Sequence, residues 1–335
     1  MFKLPWYLIP LIIMLWFTDG WVSDDHRGGW ERNSVYNSQR RWANQPRAKL
    51  AIMGSSTSKD WLPGRTLTQW FGLKRGEVLD AHINGCHQGC TWAQVRAMKR
   101  QRRRFKYILY GTNQFQMCED VHSKRVLQQQ MMLPRSDIPH LFSLYLDAQQ
   151  PLQYMARFMG MNLSGAYGDT RIAQTDVQRR LLGRGRRGHE WRWIHPRPKK
   201  RVRRVNTCDY HPDHVAYKES ISRALYRDMA QMGQRVFIML LPDPSVAMPQ
   251  YSEVWARHRA FQEALTQQYP NVYLIDLVND GAQNWSQFRD AIHLHKRAMP
   301  HQLNLFKTRL NQLGLLPRRH ADQGGELTPQ LERLK

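Results

Sequence analysis

The sequence predicts an α/β fold: three layers, αβα, around a mostly parallel five-stranded sheet that carries a long insertion. Two observations predict it. Five short apolar runs alternate with stretches of helical periodicity, and most of the runs stop abruptly at glycine or proline. Strands buried on both faces read as continuous apolar runs, and their alternation with helices implies crossover connections and a parallel sheet.

The elements follow in order. Lys49–Met53 (KLAIM) is the first strand, ended by Gly54. Helical periodicity over Thr66–Leu73 precedes a second strand over Glu77–Ile83, and a helix over Thr91–Arg103 follows. Phe105–Tyr110 (FKYILY) is the third strand, stopped by Gly111. A helix over Val215–Met232 leads to the fourth strand, Arg235–Leu241, which ends at Pro242. A helix over Tyr251–Gln268, a fifth strand over Asn271–Leu277 and an amphipathic helix over Lys296–Leu313 complete the domain, assigned to residues 48–318. The insertion covers about 114–212, with helix-like segments at Ile138–Leu146 and Leu152–Met159, and a polar tail occupies 319–335.

Composition narrows the function classes. A hydrophobic fraction of 41% and a charged fraction of 23% in 335 residues suit a globular domain and argue against global disorder. The net charge of +23 attracts polyanions. Leu4–Phe17 is an apolar run behind Lys3; as a helix it would extend about 21 Å, short of a ~30 Å hydrocarbon core. Residues 1–21 therefore read as a short uncleaved membrane anchor, with a cleaved signal peptide as the alternative, and 22–47 as a polar linker. Trp6, Trp16 and Trp21 suit the membrane interfaces. Either reading places the domain outside the cytosol, facing periplasm or cell exterior, and argues against nucleic acid as a partner. The four cysteines, Cys86, Cys90, Cys118 and Cys208, fit an oxidising compartment. Three pairings are open, and sequence proximity favours Cys86 with Cys90.

In parallel α/β sheets, function gathers at the carboxyl ends of the strands. Beyond strand one stands Gly54-Ser55-Ser56, and beyond strand two Asn84, Gly89 and Thr91. Beyond strand three come Gly111-Thr112-Asn113, and in the loop after strand five Asp290 and His293. A turn serine is by itself more often a helix cap, and a turn glycine only a turn. Together they offer a nucleophile, two oxyanion donors and an Asp-oriented histidine.

The four blocks, in this order, resemble the SGNH/GDSL-like hydrolase superfamily over about residues 48–313. Ser55 stands where that family commonly has aspartate, so two adjacent serines compete, and the third position of the block gives Ser56. The departure is similar to exported proteins of polysaccharide O-acetylation and teichoic-acid D-alanylation. The resemblance implies a flavodoxin-like sheet and an acyl-serine mechanism, with Ser56 as nucleophile, His293 as general base and Asp290 as its orienting carboxylate. The oxyanion hole would comprise the Ser56 and Gly89 backbone amides and the Asn113 side chain. It implies no cofactor and no metal, an anionic or acylated glycan as substrate, and a membrane O-acyltransferase as partner.

Other constellations are weaker. Cys208, His211 and His214 have metal-like spacing but no fourth ligand. The spacing of His295 from Asp290 does not fit the last block, and Asp276 and Asp280 compete with Asp290, though a strand-terminal aspartate is more often a turn former. The insertion holds Arg184, Arg186, Arg187, Arg192, Arg197, Lys199, Lys200, Arg201, Arg203 and Arg204, interleaved with Trp191 and Trp193. This run reads either as a polyanion-binding surface or as a solvated loop. A non-catalytic polyanion-binding module on the same fold is the alternative to an enzyme.

Overall fold

The structure is a computed structural model that describes residues 41–113, 135–147, 212–279, 285–289 and 293–316. Outside these lie the apolar N-terminal run, most of the linker, the tail and most of the insertion. The second predicted insertion helix, Cys118, Cys208, Asp290 and the basic run 184–204 also lie outside. Among the described residues no helix is long and apolar enough to cross a membrane.

Five strands form one sheet: β1 Leu50–Gly54, β2 Val78–Asp80, β3 Phe105–Thr112, β4 Gly233–Leu240 and β5 Val272–Asp276. Their order is β2-β1-β3-β4-β5, and every pairing is parallel. The expectation of a mostly parallel sheet is thus met by an all-parallel one. The chain runs to the left of β1 and then to the right from β3, so the switch in winding falls between β1 and β3.

Strand alternation sorts the core onto two faces. Ala51, Met53, Ile108, Tyr110, Val236 and Ile238 pack on one side. They meet helices α3 (Gln88–Arg100), α4 (Ile138–Asp147) and α5 (Pro212–Met232) through Trp92, Leu141 and Tyr226. Leu50, Ile52, Leu109, Phe237 and Met239 face the other side, where Trp61, Trp70, Leu303 and Phe306 cover them. Those four belong to helices α1 (Ser56–Trp61), α2 (Gly64–Trp70) and α7 (Met299–Gln312). Helix α6 (Ser252–Thr266) contributes Leu265 to the first face.

The boundaries depart from the sequence reading for local reasons. Helix α1 was not expected: six residues are too few to show periodicity, and Ser55 starts it as N-cap, accepting from the Thr57 amide at 3.3 Å. Helix α3 stops at Arg100 because Arg102 turns left-handed, with φ 56°. Strand β2 is shorter than Glu77–Ile83, although Ala81 and Ile83 still donate backbone bonds to Ile52 and Gly54 of β1. Helix α5 begins at Pro212, whose fixed φ suits a first helical turn.

Buried charge ties the first face together. Asp228 on α5 is fully buried and accepts from Trp92 Nε1 at 3.1 Å and Lys99 Nζ at 2.5 Å, both on α3. Arg96 and Arg100 clasp Asp137, at 2.6 and 3.1 Å, and so dock the start of α4 against α3.

One buried group makes stability depend on pH. His258 on α6 is 1% exposed, packs edge-on against Trp255, and neither ring nitrogen has a hydrogen-bond partner among the described residues. Burial pushes its pKa down from 6.5 to about 3. The folded state holds this ring neutral while the unfolded chain protonates below about 6.5, so its contribution is complete above that pH and is lost on acidification toward 3. The slope is about 1.4 kcal/mol per pH unit within that window. Urea titrations of wild type and His258→Phe at pH 7 and pH 4.5 should show that the substitution flattens the pH dependence by roughly 2 kcal/mol; parallel losses in both proteins would refute the assignment.

Candidate active site

The carboxyl ends of β1, β2 and β3 are adjacent in the sheet, and three of the expected residues stand just beyond them. The geometry begins at Gly54, whose φ of +130° is a backbone state that residues with a side chain rarely adopt. A Cβ there would lie 2.2 Å from Ser58 Oγ, and a Cβ on Gly111 would lie 2.4 Å from Ser58 Cβ. The two glycines are paired across β1 and β3. Their missing side chains form the seat for Ser58, which is fully buried and donates to the Ser55 carbonyl at 2.8 Å. The first turn of α1 therefore rests directly on the ends of the two strands.

That seating separates the two serines. Ser55 is 7% exposed, and its hydroxyl is held by Thr57 Oγ1 at 2.5 Å and by the Thr57 amide. Ser56, the first residue of α1, is half-buried, and its Oγ lies 2.8 Å from His293 Nε2. For the serine hydroxyl to donate to this nitrogen, His293 must carry its own proton on Nδ1. Serine is a strong N-cap, and Ser55 fills that role at the start of α1.

His293 stands at the end of a tight loop. Arg289 N donates to His293 O at 2.9 Å, His295 N donates to Gln287 O at 2.7 Å, and Phe288 bridges Leu294 antiparallel. Phe288 and Leu294 are buried in the core beneath α7. Asp290, within the loop these bonds close, lies outside the described residues. His295 is engaged locally, its Nδ1 accepting from the Arg297 amide at 3.1 Å.

A contact that sequence reasoning missed joins the two halves. Arg289 Nη2 meets Asp60 Oδ2 at 3.1 Å. Asp60 is four residues after Ser56 on α1, and Arg289 is four before His293, so the ion pair cross-links the elements that carry the serine and the histidine. No sequence signal could have found it, because the partners are distant in the chain and each looks like a surface charge.

Gly89 is the second residue of α3, in the turn whose amides have no partner within the helix, and it is buried. The start of α3 is held by the Cys86–Cys90 disulfide, the pairing that proximity favoured, and by Thr91 Oγ1 donating to the His87 carbonyl at 3.1 Å. Tyr110 hydrogen-bonds Thr91 and Thr112, and burial raises its phenol pKa. Asn113 follows β3 directly and is 1% exposed. Before this turn Asp80 accepts from His82 Nδ1 at 2.9 Å. Burial pushes the Asp80 pKa up, but the His82 bond and charge, with Arg41 nearby, outweigh it and bring the value down to about 2. Among the described residues no group of His, Cys, Asp and Glu side chains could hold a metal ion.

No protein-family model matches the chain, and no curated protein matches it. The site therefore rests on its own geometry and on the motif resemblance.

Two outcomes follow. Gly111→Ala should destabilise the fold by about 1–3 kcal/mol, because the methyl meets Ser58 and Leu241 in a packed region, and denaturant midpoints measure it; an unchanged midpoint would show that α1 does not rest on the strand ends. Asp60→Asn and Arg289→Gln should each loosen the Ser56–His293 contact. In a double-mutant cycle on the rate of any Ser56-dependent reaction, the pair should show coupling of roughly 0.5–1 kcal/mol in the activation barrier. Strict additivity would mean that the ion pair does not position the site.

Proposed function

We propose that the chain is an exported SGNH-type serine esterase or O-acyltransferase acting on a cell-envelope glycan or related polymer. The observation that carries this reading is the 2.8 Å contact between Ser56 Oγ and His293 Nε2. A serine hydroxyl is a weak nucleophile at neutral pH until a neighbouring base removes its proton. The order of the parallel sheet, with the serine beyond β1 and the histidine after β5, supports the family-level reading.

The chemistry runs in two halves. His293 takes the Ser56 proton as Oγ bonds to the acyl carbonyl carbon, and the carbonyl electrons move onto oxygen. The Ser56 and Gly89 amides and the Asn113 side chain would receive that oxyanion, each donor contributing about 3 kcal/mol in the transition state. The carbonyl re-forms, the alkoxy group leaves with the proton from His293, and acyl-Ser56 remains. Water or a sugar hydroxyl then reverses the sequence. Asp290 would hold the histidine tautomer.

Two further observations support the setting. The Cys86–Cys90 disulfide suits an oxidising compartment, and Leu4–Phe17 suits a membrane tether. An exported acyltransferase needs an acyl donor delivered across the membrane, so a membrane O-acyltransferase is the fitting partner. The basic composition of the run 184–204 is complementary in charge to an anionic glycan.

Wild type should hydrolyse a chromogenic acetyl ester, and Ser56→Ala should lose at least about a thousandfold in rate while Ser55→Ala retains most of it. Equal rates for wild type and Ser56→Ala would exclude Ser56 as nucleophile. With no turnover in any of them, intact-protein mass spectrometry after exposure to an activated acyl donor should show one acyl adduct, on Ser56. Absence of that adduct as well would favour the polyanion-binding module.

A further inference from the structure

We propose that the amino edge of the sheet, opposite the candidate site, is a docking surface for anionic phospholipid headgroups. The inference stands on the distribution of charge. It rests on the functional reading for the membrane tether and for the choice of a bilayer over a polymer, which takes Ser56 as the site.

Parallel pairing gathers the starts of the strands at one edge. Arg47 leads into β1, Lys74 and Arg75 into β2, and Arg102 into β3; Lys106 and Arg235 sit in the opening residues of β3 and β4. All six are exposed. In the segments 41–49, 71–77, 101–106 and 231–235 the one carboxylate is Glu77, and Lys49 engages it at 2.6 Å. Among the described residues of these segments the edge therefore carries an excess of positive charge. This contrasts with the cations of α3, where Arg96, Lys99 and Arg100 are taken up by Asp137 and Asp228.

The apolar chemistry of the same edge points to a bilayer. Leu313, 49% exposed, caps α7 here, since Arg235 reaches the carbonyl of Leu315. The chain enters β1 at this edge, and the apolar run Leu4–Phe17 precedes it in sequence. An anionic polymer bound here would lie on the wrong side of the sheet to reach Ser56, since the eight residues of β3 span about 25 Å. A bilayer on this side leaves Ser56 and His293 facing away from it. Each basic residue at an anionic surface strengthens binding roughly fivefold at moderate salt.

The test uses the full chain with a fluorescent amino acid at position 313 and vesicles carrying an acceptor dye on their headgroups. Energy transfer should be at least about twofold greater on phosphatidylcholine vesicles containing phosphatidylglycerol than on phosphatidylcholine alone. The excess should vanish near 1 M salt, where the Debye length is about 3 Å. A variant carrying Arg47→Glu, Arg75→Glu, Arg102→Glu and Lys106→Glu should lose the excess while keeping its thermal midpoint. Should that variant unfold, the same four positions as glutamine, at graded phosphatidylglycerol content, give the comparison. Equal transfer on both lipids, or an excess that survives the substitutions, overturns the proposal. Salt-sensitive response to a soluble anionic polysaccharide, with none to phosphatidylglycerol, overturns it in favour of a polymer. Co-flotation with neutral vesicles reports on Leu4–Phe17 separately; its failure removes the tether and leaves the lipid-dependent excess as the measure of the edge.

Discussion

Two missing side chains decide where the candidate nucleophile stands. Gly54 and Gly111 face each other across β1 and β3, and Ser58 occupies the space that a Cβ on either would fill. With Ser58 seated there, the chain leaving β1 must turn at once, and the +130° φ of Gly54 provides that turn. Ser55 then falls at the N-cap and spends its hydroxyl on Thr57, while Ser56 falls on the first helical position with its hydroxyl facing His293. A larger residue at either glycine would lift α1 from the sheet, and the assignment of roles to the two serines would go with it.

The histidine is placed by different forces. Phe288 and Leu294 flank its loop and are buried against the face that α7 covers, so apolar burial fixes the depth of the loop. Backbone bonds between Arg289 and His293, and between His295 and Gln287, fix its width. The Asp60–Arg289 pair fixes its lateral position against α1. That pair is partly exposed, with side chains 17% and 47% accessible, so it adds only a fraction of a kcal/mol to about 1 kcal/mol. Its main consequence is geometric: it ties the element that carries Ser56 to the one that carries His293.

The strands were legible in the sequence because each is buried on both faces and so reads as an unbroken apolar run. KLAIM, FKYILY and RVFIMLL admit few other interpretations, and their glycine and proline stops mark the carboxyl ends where chemistry gathers. The pairing of Ser56 with His293 was legible only through the resemblance, since nothing local to either residue announces the other. What escaped notice was decided in three dimensions. Helix α1 is too short for periodicity, the Ser58 seat needs the β1–β3 register, and the Arg289 contact joins residues far apart in the chain. The resemblance chose Ser56 over Ser55 only by its position in the block; the unequal depth of the two hydroxyls separates them physically.

A parallel sheet is polar as an object, and this chain uses the polarity twice. At the carboxyl ends the loops bring together a serine and a histidine, beside the Asp60–Arg289 ion pair. At the amino ends the same register collects lysines and arginines in excess of the one carboxylate, Glu77, among the described residues of the adjoining segments. Among the described residues the cations are therefore not spread evenly over the fold. Some are paired internally with Asp137 and Asp228 between α3, α4 and α5, where they secure packing. The cations at the amino edge are exposed, and like charges brought close together oppose compaction. A fold that keeps such an edge is bearing a repulsion that an apposed anionic surface would relieve. Relieving it there, and not at the other end, leaves the serine and histidine on the side away from that surface.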